Sequence, residues 1–399
     1  MKKIKTIALS AFILLASVTL MKAQETQIKF FGQPEFQSQK TTKKGNYFPN
    51  PPSPYPAWKD STFTDSTKSV FAPGNFVLFI TSQLSERVSI LSENTANIDN
   101  GTASFQIQRL MVRYFVKDAF SVRVGKMFNP IGLWNNTYNF GLVLQPTIQR
   151  PSIIRASDNG GVLQISNVGA QIEGDNITKA RLFYRLFVSN GNGSKSLTSN
   201  LKNQYAVTAA LGAEPVEGLK IVASAHLDEF SAKRPNSAGV TNKKGGSALL
   251  SNVSIAYMNP EKKVEFMGEY YYQSTKFDSL GEKSSQGLLL YGGYKVTNKL
   301  IPYVQYAYLQ AGTENSTDFY YAGATNGVQL KINDITLGVR YKFTSNFVVK
   351  FEYNFRQQDQ IFKDNIFQLQ NPKLPGYITG DKHQITTTSG PRIQFAFAF

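Results

Sequence analysis

The sequence predicts an all-β fold: a transmembrane antiparallel β-barrel of about sixteen strands. Three observations predict it. First, apolar and polar residues alternate over long runs, as in Phe347-Val348-Val349-Lys350-Phe351-Glu352-Tyr353-Asn354-Phe355-Arg356 and Ile335-Thr336-Leu337-Gly338-Val339-Arg340-Tyr341-Lys342-Phe343. A period of two gives a strand one apolar and one polar face; a helix would scatter both sets around its surface. Second, the connections sort into short polar turns and long polar stretches, the asymmetry of membrane barrels. Third, the chain stops on an alternating strand. Ile393, Phe395, Phe397 and Phe399 share one face, and Arg392, Gln394, Ala396 and Ala398 the other. On a soluble sheet that aromatic edge would invite aggregation, whereas lipid accepts it.

The elements follow in chain order. Lys2, Lys3 and Lys5 precede an apolar run from Ile7 to Leu20, and Ala23-Gln24 is a cleavage point. Residues 1–23 therefore read as a secretory signal peptide, too short to span a bilayer as a helix. The barrel occupies 24–399. Within it, 24–74 holds a first strand around Ile28–Gln37 and a long Pro-rich loop, Pro49 to Pro56, that caps, plugs or extends the barrel. Short turns fall at Ser85-Glu86-Arg87, Lys117-Asp118-Ala119, Gly174-Asp175-Asn176, Glu214 to Gly218, Asn259 to Lys262, Thr297-Asn298-Lys299 and Thr344-Ser345-Asn346. Long polar stretches lie at 38–74, 94–101, 129–159, 190–201, 232–246, 278–284, 314–329 and 359–383. Together they imply an even number of strands near sixteen, with fourteen to eighteen as the range. Sixteen is a size that leaves an aqueous channel.

Composition narrows the chemistry. The chain has no Cys, so it holds neither disulfides nor thiolate metal sites. Charged residues make up 18%, fewer than in a typical soluble domain, while aromatic residues reach 13%. The formal charge is +16, or +12 once Lys2, Lys3, Lys5 and Lys22 leave with the signal peptide. Such an excess attracts anionic lipid or anionic solutes; export argues against nucleic acid. His226 and His383 are the two histidines, far apart and without ligand spacing. No catalytic, cofactor or metal constellation emerges, although Ser, Asp and Glu are plentiful enough to leave a hydrolase site open.

Basic residues gather in 102–190, which carries ten Lys/Arg against four Asp/Glu. Arg185 and Arg181 alternate against Leu182, Tyr184, Leu186 and Val188, and Arg123 against Val122 and Val124. A charge on the lipid face near the midplane costs roughly 2–4 kcal/mol, so mid-strand arginines face water. Arg109 and Arg113 share a face, but the phase of their strand conflicts with an outward Ile107. The long segment 129–159 carries Trp134, Tyr138 and Phe140, which can hold it inside the barrel, together with Arg150 and Arg155. The pore-lining or constriction candidates are thus Arg109, Arg113, Arg123, Arg150, Arg155, Lys179, Arg181 and Arg185. Rings of Arg or Lys favour anions; pairing with inward acids such as Glu265, Glu269 and Glu352 would cancel that preference.

The segment Val124-Gly125-Lys126-Met127-Phe128-Asn129-Pro130-Ile131-Gly132-Leu133-Trp134, followed by Arg150-Pro151-Ser152, resembles the strand-into-loop region of porins related to the phosphate-selective O and P type. The motif covers about thirty residues; the layout covers most of the chain. The Ala-Gln junction and the Lys/Asn-rich composition look like a Bacteroidetes member. The resemblance implies a passive, trimeric, sixteen-stranded channel in the bilayer and lipopolysaccharide of a Gram-negative outer membrane, admitting phosphate or other small anions. It implies no cofactor and no enzymatic activity, and places Arg150 and Arg155 near a constriction. Phe395, Phe397 and Phe399 look like the signal that the barrel-assembly machinery recognises. A structural or surface-interaction barrel is the alternative.

Overall fold

The structure, a computed structural model, describes residues 25–49, 58–99, 102–138, 145–155, 161–191, 205–230, 234–235, 241–242, 246–259, 261–277, 281–310, 328–368 and 377–399. The signal peptide expected at 1–23 lies outside them. Sixteen antiparallel strands close into one barrel. Strand β1 runs as Glu25–Gly32 and Glu35–Pro49, broken at Pro34, and β2 as Trp58–Ala72 and Asn75–Gln83, broken at Pro73 and Gly74. Proline cannot donate to the ladder, so each break falls where the sequence removes an N–H. The two breaks are adjacent: Gly74 has φ +68, and a side chain there would strike the Gln33 carbonyl.

There follow β3 (Val88–Asp99), β4 (Thr102–Lys117), β5 (Phe120–Phe128), β6 (Ser166–Gly174), β7 (Phe183–Ser189), β8 (Ala206–Val216) and β9 (Leu219–Phe230). The remainder are β10 (Gly246–Tyr257), β11 (Val264–Phe277), β12 (Gly281–Tyr294), β13 (Leu300–Gln310), β14 (Val328–Lys342), β15 (Phe347–Gln368) and β16 (Tyr377–Ala398). The barrel closes between β1 and β16. Phe30 N donates to Phe399 O at 2.8 Å, Phe399 N returns the bond at 3.0 Å, and the two rings stack at 5.3 Å. The terminal aromatic residue thus completes the last seam, and Phe395 and Phe399 lie exposed on the outer face.

The short turns fall where the sequence put them, except that the one expected at Gly174-Asp175-Asn176 extends over 175–182. Four long stretches differ more: in 94–101 β3 and β4 pair out to Asp99 against Thr102, and in 278–284 β12 begins at Gly281. Most of 38–74 is not loop: β1 and β2 pair through it, from Glu35 against Ala72 to Tyr47 against Trp58. Likewise β15 and β16 pair through 359–383, out to Gln368 against Tyr377. Polar residues on both faces had read as loop; beyond the lipid band a strand meets water on both sides, so its alternation fades while its hydrogen bonds persist.

Strand β4 resolves the phase conflict at Ile107 with a bulge. Glu93 pairs with Arg109 but Asn94 with Ile107, which leaves Gln108 unmatched. Phe105 and Ile107 therefore face outward before it, and Leu110 and Val112 after it, while Arg109 stays inside. Lys126 pairs with Leu110 and Val168, which puts it on the outer face. Its ammonium donates to the Ile107 carbonyl at the bulge, 2.6 Å away.

Candidate functional site

The site is the interior of the barrel and the segment that enters it between β5 and β6. Inward positions alternate with outward ones. On β11, Glu265, Met267, Glu269, Tyr271 and Gln273 are buried, while Phe266, Tyr270 and Tyr272 are exposed. The largest apolar cluster lies inside, where Ile131, Leu133, Trp134, Ile153, Ile154 and Leu163 of the segment pack against inward residues such as Tyr271, Leu289, Tyr303 and Leu309. Trp134 is fully buried and meets Tyr138 edge-on at 5.3 Å.

Wall carboxylates anchor this segment at two points. Helix α1 (Leu133–Thr137) has no side-chain cap of its own. Glu269 fills that role from the wall, accepting from Leu133 N at 3.2 Å and Trp134 N at 2.7 Å. Tyr271 and Ser254 also donate to Glu269. A carboxylate at exposed helical N–H groups satisfies orphan donors and suits the helix dipole. Gly132 precedes the helix at φ 73, and any side chain there would collide with the Tyr271 hydroxyl and Glu269. At the second anchor Glu352 accepts from Ile148 N at 2.7 Å and from the Tyr303 hydroxyl at 2.7 Å. Lys350 donates to Thr147 O at 3.3 Å.

The arginines named from sequence take three kinds of place. Arg109 pairs with Glu93 at 2.6 Å, with Phe128 and Phe79 against its guanidinium. Arg113, Arg123 and Arg185 converge on one buried carboxylate, Glu173, at 3.2, 2.8 and 3.3 Å. Arg185 also reaches Asp175 at 2.6 Å. That cluster draws on β4 to β7 and lies beside the short turns.

Arg150 serves the segment itself, donating to Ile154 O and to Asn135 Oδ1. Arg155 donates to Gln149 Oε1 at 3.2 Å. Burial, reinforced by Arg356 and Arg392, pushes Arg155 down to about 10, and burial alone does the same to Arg150. Both remain cationic at neutral pH. Lys179 and Arg181 are not on a strand, contrary to the alternation reading. They lie in the 175–182 turn, where Arg181 has φ 49 and pairs with Glu214 at 3.2 Å. Strand β7 begins only at Phe183, so the period of two had been extended two residues too far.

The inward cations Arg340, Lys350, Arg356 and Arg392 were not among the candidates, nor was Lys220 of β9. Arg340 pairs with Glu265, and Arg356 with Asp334 at 3.5 Å. The signal was present, since each alternates against outward residues such as Phe351, Tyr353, Phe355 and Phe395. His226 is buried and bonded to Thr208 at 2.6 Å; the side chain of His383 lies outside the described residues. Among the described residues no group of three or more His, Asp or Glu is placed to hold a metal.

No protein-family model matches the sequence, and no curated protein matches it either. Solved structures do match in fold. The anion-selective porin from Comamonas acidovorans aligns with TM-score 0.55 at 13% identity, over 94% of this chain and 100% of that one. The outer-membrane channel DcaP of Acinetobacter baumannii aligns with TM-score 0.52 at 11% identity, over 95% and 99%. The trimer form of OmpT, an outer-membrane protein of Vibrio cholerae, aligns with TM-score 0.51 at 12% identity, over 94% and 99%. At such identities the likeness is one of fold, and the fold is that of the outer-membrane porins.

Proposed function

We propose that the protein is a passive outer-membrane porin for small hydrophilic solutes, with a preference for anions such as phosphate. The observation that carries this reading is the cluster of inward arginines beside the inserted segment: Arg155 has Arg356, Arg392 and Arg150 as electrostatic neighbours and Asp334 as its acid, while Glu352 and Glu35 lie beside Arg392. A water-filled lumen bordered by surplus arginine lowers the barrier for anions and raises it for cations. Arginine also presents a planar fork that suits phosphate and carboxylate oxygens. The segment 129–159 is the constriction in this reading, and Glu269 and Glu352 hold it there. The phosphate-selective O and P porins remain the type that the sequence resembles, and a homotrimer is the assembly that this reading entails.

The test is the reversal potential of purified protein in planar bilayers across a KCl gradient. Anion-selective steps that lose selectivity in Arg155→Ala support the proposal. Steps without ion preference remove the basic filter. Absence of conductance from folded, heat-modifiable protein favours the structural or surface-interaction barrel.

A further inference from the structure

Beside α1, between the inserted segment and the rim of short turns, lies a cavity of about 330 Å³. Its lining includes apolar residues, Leu133 of the segment and Phe183, Ala210 and Val222 of the wall. It also includes the cations Arg181, Arg185 and Lys220. Two of these cations are matched by acids that line the same cavity, Arg181 by Glu214 and Arg185 by Asp175. Lys220 has no ion-pair partner among the described residues. It shares the inward face of β9 with Val222 and Ser224. The lining therefore carries one cation more than it has carboxylates, next to an apolar surface.

Two further features single out this corner. Asn176 and Arg181 both line the cavity, and among the described residues they are the two non-glycine positions with positive φ, at 52° and 49°. That conformation is unfavourable for a long L side chain, so the fold holds Arg181 at the cavity against its own preference. A second cavity of about 330 Å³ shares Leu133, Thr137, Arg181, Glu214 and Lys220 with the first and adds the carboxylate of Glu217 to its lining. It continues past Tyr138 toward Met258 and Met267. The apolar surface is thus longer than a small inorganic ion can use.

We infer that this corner is a binding site for small monocarboxylates with an apolar body, aromatic or branched aliphatic. The carboxylate meets the Lys220 ammonium and the free edge of the Arg181 guanidinium. The apolar body lies on Leu133, Phe183 and Val222 and gives up its hydration there. Inorganic phosphate gains nothing from that surface, and acetate has too little body to reach it. The inference deepens the porin reading and rests on it, since solutes reach the cavity through the lumen.

The test is isothermal titration of the purified full chain in detergent with benzoate, acetate and inorganic phosphate. Benzoate is expected to bind about ten-fold more tightly than acetate or phosphate, the gain from burying one ring face. Lys220→Gln is expected to weaken benzoate about five-fold or more, and Lys220→Arg to retain it, with heat-modifiable migration confirming that each variant folds. Equal binding of benzoate and acetate overturns the site, as does unchanged benzoate binding in Lys220→Gln. The titration needs no open channel, so it separates from the bilayer experiment. Benzoate binding without conductance steps sinks the porin reading, and conductance steps without benzoate preference sink this site alone.

Discussion

Two sides of the barrel solve the problem of inward charge differently. On one side β5, β6 and β7 have nine, nine and seven residues; on the other β15 and β16 have 22 each. With about 3.3 Å per residue and a tilt near 45°, seven residues rise roughly 16 Å and 22 roughly 50 Å. The low side leaves its arginines partly open. Side chains of Arg113, Arg123 and Arg185 are 33%, 26% and 21% exposed around a fully buried Glu173. On the tall side Lys350 and Glu352 of β15 are buried and bonded to segment backbone, as is Glu269 of β11. Charge bonded to the segment backbone positions the segment, whereas charge that is not so bonded, on either side, acts on solutes.

The largest test of that contrast is on a charge covered by the segment. Glu269→Ala removes the acceptor for two backbone N–H groups of α1, the Tyr271 hydroxyl and Ser254. Each buried donor left unsatisfied costs about 1–3 kcal/mol, so several together exceed what the segment gains by packing one more side chain. The segment is expected to leave its seat while the wall stays closed. Single-channel conductance should rise, and protease should cut within 129–159 of folded protein. Unchanged conductance together with an intact segment would show that the apolar contacts of Trp134, Ile153 and Ile154 suffice.

A smaller effect is expected on the low side. Glu173→Gln leaves Arg113, Arg123 and Arg185 without their shared carboxylate but still in reach of water. The expected loss of stability is about 2 kcal/mol, the scale of one hydrogen bond to a charged group, read from urea unfolding in detergent or lipid. Anion preference should increase, because one negative charge is gone from the lumen and no segment has moved. If Glu173→Gln destabilises as strongly as Glu269→Ala, the distinction between open and covered charge fails.

The wall was legible in the sequence and the inside much less so. Period-two alternation found the strands because lipid on one side and water on the other demand it residue by residue. The rule lapsed where that demand lapses: beyond the lipid band at 38–74 and 359–383, at the Gln108 bulge, and at the Arg181 turn. Of the apolar anchors read in the segment, Phe140 lies outside the described residues, and Trp134 and Tyr138 pack inside the barrel. Their partners Glu269, Tyr271 and Tyr303 were out of reach, because they lie more than a hundred residues away and meet the segment only once the barrel has closed. Glu265, Glu269 and Glu352 were read as possible partners for lumenal arginine. Glu265 does pair with Arg340, while Glu269 caps a helix that no local pattern announced.

The smallest expected effect belongs to the inserted segment and is read from pH. Burial pushes Arg155 and Arg150 down to about 10. For a base, a lowered value in the folded protein means that the proton is kept below it and lost above it. The segment's own arginines therefore keep their positive charge at every pH up to about 9, and their share of the anion preference should be level up to that point. It should then fall as pH passes through 10, whereas an arginine in bulk water holds its charge beyond 12. Arg150 is tied within the segment to Ile154 and Asn135, so its charge is partly spent on structure. Arg155 faces Arg356 and Arg392, and the step near pH 10 should vanish in Arg155→Ala. Reversal potentials that stay level to pH 11 in the unmodified protein would mean that the filter lies with the open arginines of the low side, and the inserted segment would then narrow the lumen without selecting by charge.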